Sequence, residues 1–300
     1  GWIEGLTIAS IILGVLLGGQ LVGPHLSPWL LAIDLPGIET SIDTPPEAAI
    51  ASLVLVYAIA AAINLRIPHT GVRMRPLPDR TLSLLPDFWR CNARLWRDKL
   101  GQISLATTTL FWGVSGNMRY IVLAWAAAAL HYSTTQAAGL VGVVAIGTAV
   151  GAVLASMRVR LDRAIGVMPL GVLMGALVVL MVFVDRLWLA VPFLIFMGAL
   201  GGYIVVPMNA LLQHRGHNLM GAGRSIAVQN FNEQACILGL GALYSASAGV
   251  GLSAFGAIAL FGAVVIAFML LIQRWHRHNL RRYPGKVERL LNIARRDRGH

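Results

Sequence analysis

The feature that most constrains this chain is a series of long apolar runs. Eight stretches qualify, at about 6–23, 47–65, 101–125, 136–157, 165–184, 187–212, 224–249 and 253–274. Each is near the ~20 residues with which an α-helix crosses the hydrocarbon core of a bilayer. They lack the alternation of ~10-residue membrane β-strands, and they are too long and too many to be the buried helices of a soluble core. With 57% hydrophobic and only 12% charged residues, the chain cannot furnish the surface of a soluble domain. The same apolar excess excludes disorder. The sequence therefore reads as an all-α membrane protein of eight transmembrane helices. Gly14 and Gly18, Gly147 and Gly151, Gly171 and Gly175, and Gly198 and Gly202 are spaced to let helices approach closely. The 32 glycines also produce such spacings by chance. No signal peptide is visible. The chain starts at Gly1 with a helix almost at once, which reads as a cut through a longer chain.

Charge orients the spans. The loop 24–46 holds Asp34, Glu39 and Asp43 and no Lys or Arg, whereas 66–100 holds seven arginines and Lys99. The loop 131–135 is uncharged, 158–163 has three arginines, and 185–186 has one. Arg215 and Arg224 flank the next turn, 249–252 has no charge, and 274–300 has nine Lys or Arg. Alternate loops are basic, as the positive-inside rule requires. The first span then enters from the cytoplasm and the C-terminus ends there. This location accounts for most of the +11 net charge. No DNA-reading module accompanies the charge, so nucleic acid is not an expected partner.

The spans divide into two plus six. Residues 1–65 hold the last two helices of one half, 66–100 a basic cytoplasmic linker, 101–274 a six-helix half, and 275–300 a basic tail. This matches the middle and end of a twelve-span transporter built from two six-helix halves. In the linker, Leu82, Leu85, Phe88, Trp89, Leu95 and Trp96 stand among arginines, which predicts a helix lying in the headgroup interface, with a solvated loop as the alternative. In the tail, Val287, Leu290, Leu291 and Ala294 fall at helical spacing between basic residues. That predicts a second such helix on an anionic inner leaflet, with a frayed, solvated tail as the alternative.

Ionisable residues at membrane depth are costly, and each is a site candidate. Arg119 lies roughly 27 Å from the cytoplasmic end of its span, counting from Gly101 at 1.5 Å per residue. Its planar fork suits a phosphate, and a structural salt bridge or snorkelling to the outer interface are the alternatives. Glu233 sits in Gln229-Asn230-Phe231-Asn232-Glu233-Gln234, a run too polar to face lipid on every side. Gln229, Asn232 and Glu233 are spaced to share a face, as a cavity wall or as glue between helices. Glu4 is the third candidate, with an interfacial structural role as its alternative. Asn209 follows Gly201, Gly202 and Pro207, which either break the sixth span around a ligand or simply kink it. Enzyme signatures are lacking: there is no G-x-S-x-G, no H-E-x-x-H, no Walker A loop, and no histidine with an aspartate at acyltransferase spacing. Cys91 and Cys236 form no metal or disulfide pattern, and no cofactor is implied.

Three blocks carry a family resemblance. They are Phe111-Trp112-Gly113 with Arg119, in a stretch that also holds the substrate-binding candidate Asn117, then Val206-Pro207-Met208-Asn209-Ala210-Leu211-Leu212-Gln213, and Gly221-Ala222-Gly223-Arg224-Ser225 leading into Ala227-Val228-Gln229-Asn230. With them, the chain resembles the bacterial lysophospholipid transporters of the major facilitator superfamily from Glu4 to about Ile272. The resemblance implies twelve spans, of which these eight correspond to five through twelve, so the first four are expected to be missing. It implies ATP-independent movement of lysophosphatidylethanolamine-type lipids from the outer to the inner leaflet of the bacterial inner membrane. There an acyltransferase/acyl-ACP synthetase partner reacylates them. Arg119 would catch the phosphate from the outer leaflet, with Glu233, Asn230 and Gln229 as polar steps further in. A facilitator of a drug or small anion, and a non-transporting membrane component of lipid synthesis, are the competing readings.

Overall fold

The computed structural model describes residues 10, 13, 14, 17, 20, 21, 26–32, 44–67 and 84–296. The first expected span lies largely outside them, as do Glu4 and most of the acidic loop. The described helices fall into two compact units, one before residue 82 and one after it.

In the first unit a short helix, α1 (Ser27–Leu31), packs against α2 (Pro45–Asn64). Two prolines open α2, where their missing N–H groups cost nothing. The Thr44 N–H donates to Glu47 Oε2 at 2.9 Å, closing the start of the helix.

The second unit begins with α3 (Leu84–Arg97) and continues through α4 (Gly101–Leu130) and α5 (Thr134–Arg158). A 3₁₀ turn (Leu161–Val167) then leads into α6 (Pro169–Leu180), which ends in a second one (Met181–Phe183). The long helices α7 (Leu187–Met220), α8 (Ala222–Gly249) and α9 (Ala254–Arg282) follow, and α10 (Pro284–Arg296) ends the described chain. The described residues contain no strand.

Helix ends follow local chemistry. Asp98 Oδ1 accepts from the N–H groups of Leu100 and Gly101, at 3.2 and 2.7 Å, at the start of α4. Ser133 and Gln136 form a reciprocal capping box at the start of α5. Ser253 Oγ accepts from the Gly256 N–H to open α9. Gly221, at φ +83°, turns α7 into α8 in a backbone region that costs glycine least.

Each of the last six expected spans corresponds to a helical segment here. Only five described segments, however, are both long and apolar enough to cross a membrane: 45–64, 136–158, 161–183, 187–220 and 254–282. The count of eight is not confirmed. The helices α4 and α8, of 30 and 28 residues, are long enough but too polar. In the fold α4 is the central helix, packed against α5, α7, α8 and α9. Ser104, Thr107 and Thr108 bond back to carbonyls of the helix itself, as when Thr107 Oγ1 donates to the Ile103 carbonyl at 2.9 Å, whereas Thr109 Oγ1 and Trp112 Nε1 have no partner among the described residues.

Two expectations change. The helix α7 runs unbroken through Gly201, Gly202 and Pro207, so the broken-helix reading of this stretch is not supported. These glycines serve packing instead. A Cβ at Gly202 would fall on the Thr148 carbonyl oxygen of α5, and one at Gly201 would press on the Phe111 ring of α4. The two amphipathic helices also form as expected but use their apolar edges differently. Cys91 and Leu95 of α3 are buried against Leu105, Leu212 and Val228 of the bundle, leaving Leu85 and Trp89 exposed. In α10, Val287 and Ala294 are buried, and Arg295 pairs with Asp162 at 3.1 Å. The tail's apolar edge is spent on protein, not on the leaflet.

Candidate functional site

The polar run of α8 splits between two neighbouring helices. Gln229 and Glu233, one turn apart, face α7. The Gln229 amide donates to Asn209 Oδ1 at 2.7 Å and to Glu233 Oε1 at 2.8 Å. Gln229 and Glu233 are only 6% and 8% exposed, so a carboxyl group lies inside the bundle with one amide donor among the described residues. Asn232 turns instead toward α3. It accepts from Trp96 Nε1 at 3.2 Å and donates to Asn92 Oδ1 at 2.9 Å and to the Val228 carbonyl at 2.8 Å. Asn230 and Gln234 are exposed.

Asn117 is buried between α4 and α8. Its amide donates to the carbonyls of Gly113 and Ile237 at 2.8 and 3.0 Å, and Gly241 leaves room for its oxygen. That arrangement binds helices together. Two residues on, Arg119 is exposed. It donates to the Tyr120 hydroxyl at 2.6 Å and lies 4.7 Å from the centre of that ring. Among the described residues it has no carboxylate partner within ion-pair distance, so no structural salt bridge of that kind holds it there.

The register of α4 and α8 measures the spacing of these groups. Leu105 clusters with Val228, Gly113 sits against Cys236, and Gly241 against Asn117, so the two helices run parallel. Glu233 is then level with about residue 110 of α4, nine residues before Arg119. The axial separation is about 14 Å at 1.5 Å per residue. Of the expected site residues, the structure brings together Asn209, Gln229 and Glu233. It places Asn117 and Arg119 further along α4, leaves Asn230 on the outer face, and does not describe Glu4.

Sequence reasoning missed a buried ion pair. Arg215 of α7 grips Asp98 through both carboxylate oxygens, at 3.1 and 2.7 Å, with both side chains under a tenth exposed. The signal was available: Asp98 stands three residues before Gly101, at a capping position. A more exposed pair, Asp87 with Arg224 (2.8 Å), ties α3 to α8. The described residues contain no group of His, Cys, Asp and Glu able to hold a metal ion.

No family model matches the chain, and no solved structure matches it. Curated proteins do. The chain is 36% identical over 246 residues to the lysophospholipid transporter LplT of Yersinia pestis (strain Pestoides F), and equally to those of Yersinia pestis bv. Antiqua (strain Angola) and Yersinia pseudotuberculosis serotype O:3 (strain YPIII). Each match covers 82% of this chain and 56% of the relative, so the chain spans little more than half the relatives' length. These relatives are named as transporters, not as enzymes. Over most of its residues, then, this all-α membrane chain is a homologue of the lysophospholipid transporters.

Proposed function

We propose that the chain supplies the last eight spans of a lysophospholipid transporter with the major facilitator architecture. It works in the bacterial inner membrane with the C-terminus in the cytoplasm. Residues 1–65 close the first half, 66–100 link the halves, 101–274 form the second half, and 275–300 form the tail. Lysophosphatidylethanolamine-type lipids pass from the outer to the inner leaflet without ATP, and a partner acyltransferase/acyl-ACP synthetase reacylates them.

The exposed Arg119 carries this reading. Hydrocarbon cannot solvate a permanent guanidinium charge at that depth, so its face of α4 belongs against water, protein or an anionic group. The fork matches a phosphate. The ~14 Å between Arg119 and Glu233, taken from the helix rise, exceeds the span of one headgroup. The two residues therefore act as successive stations rather than as one clamp. Asn117 and Asn209 shape the route, the first by fixing α4 to α8 and the second through Gln229.

The test is a flip assay on the full-length protein carrying this chain, reconstituted in vesicles with labelled lysophosphatidylethanolamine. Label crossing to the other leaflet without nucleotide is the expected result. No movement of this lipid sinks the reading.

A further inference from the structure

The helix α9 changes character along one face. As far as Leu271 that face is apolar and uncovered, with Leu270 and Leu271 both half-exposed or more. From there it becomes basic. Arg274, Arg277, His278, Arg281 and Arg282 follow at i, i+3, i+4, i+7 and i+8, which aligns them along one side, and all five are exposed. The opposite side stays in the bundle through the buried Ile272 and Asn279. Trp275 stacks on Trp96 of α3, ring centres 6.0 Å apart, and holds this extension in place.

The stripe is unneutralised and well positioned. Among the described residues, none of the five pairs with a carboxylate. Asp162 is taken by Arg160 and Arg295, Asp98 by Arg215, and Asp87 by Arg224. From Arg274 to Arg282 the helix rises about 12 Å, and it does so directly beyond the apolar segment. A headgroup layer adds roughly 5–7 Å to each side of the hydrocarbon core, so the stripe crosses that layer and emerges just past it. The tail helix cannot take this role through its apolar edge, which is buried in protein.

We propose that this stripe is a docking surface for the headgroups of anionic phospholipids, of the phosphatidylglycerol type, at the membrane face where α9 ends. Arginine forks left without carboxylates take phosphodiester oxygens, and the adjoining Leu270 and Leu271 meet the acyl chains. The proposal is independent of the transported lipid and of which side α9 ends on.

The full chain, purified in detergent, is titrated separately with phosphatidylglycerol and phosphatidylethanolamine, and retained lipid is counted by native mass spectrometry. The triple variant R277Q/R281Q/R282Q is expected to weaken phosphatidylglycerol retention at least about tenfold, since each arginine near an anionic surface contributes up to about fivefold. Phosphatidylethanolamine retention stays as in the parent, and added salt erodes the parent's preference for the anionic lipid. Unchanged phosphatidylglycerol retention in the variant overturns the proposal. A parallel loss of both lipids overturns it as well, since that reports damage to the span. So does equal competition by free glycerol phosphate, which marks a site for soluble anions.

Discussion

Arg119 combines a permanent charge with an exposed position, and among the described residues it interacts with Tyr120. Truncating it removes a guanidinium without stranding a buried partner. Arg119→Ala is therefore expected to leave folding intact and to lower lysophosphatidylethanolamine flipping at least about tenfold, from the loss of one charge-assisted contact. Arg119→Lys restores charge but not the bidentate fork, and recovers only part of the rate. Flipping unaffected in Arg119→Ala sinks the phosphate-capture role. Asp98 is the opposite case. Asp98→Ala leaves Arg215 charged, buried and unpaired, which costs about 3–5 kcal/mol, read as a large fall in the thermal unfolding midpoint in detergent. The sequence revealed Gln229 and Glu233 as a pair because i and i+4 are only ~40° apart on a helix of 3.6 residues per turn. It misled on Asn232, which lies ~100° from Glu233 on the same geometry and so reaches α3. For Asn117 the limit was a different one. A polar residue in a span looks alike from sequence whether it meets a substrate or a neighbour's carbonyl, and here it meets the Ile237 carbonyl.

Among helices, α5 and α7 meet backbone to backbone. Side chains at Gly147 and Gly151 would fall on the carbonyl oxygens of Ile195 and Ala199, and those at Gly198 and Gly202 on Val144 and Thr148. Backbone cannot retreat as a flexible side chain can, so Gly151→Ala is expected to destabilise the protein by about 1–3 kcal/mol. Gly139→Ala in the same helix meets nothing within 4 Å and is expected to be neutral or mildly stabilising, because alanine is the better helix former. Thermal unfolding of the two variants side by side checks this, and an equal effect removes the packing argument. The glycine spacing was visible in the sequence, but its meaning was not. Gly14 shares the spacing, yet a Cβ there would meet nothing within 4 Å among the described residues, while the nearest atoms to one at Gly171 belong to the flexible side chain of Met269. Helix positions were the most legible feature, since apolar runs and caps are local signals. The partners of the apolar edges of α3 and α10 were not, because a membrane and a protein groove attract the same pattern.

For the whole molecule, orientation is the remaining proposal that can be tested apart from transport. By the alternation of loops, 22 of the 24 Lys and Arg residues lie on one side; the exceptions are Arg186 and Arg119. Two features of the fold bear on this. The exposed Lys286 and Arg289 of α10 lie beyond the last span, and Arg186 caps the start of α7 at the other end of the bundle. With Cys91 and Cys236 replaced, single cysteines at 289 and at 186 must therefore react from opposite sides of the membrane. In intact cells a membrane-impermeant maleimide is expected to label Arg186→Cys. Arg289→Cys is expected to label only after the membrane is opened. Reversed labelling places the C-terminus outside and overturns the orientation. Labelling of both positions from one side is a different failure, because an odd number of crossings lies between them in the proposed arrangement: 187–220, α8 and α9. That result would remove one crossing, and α8 is the candidate, since its polar run is what keeps it below the apolarity of a membrane-spanning helix.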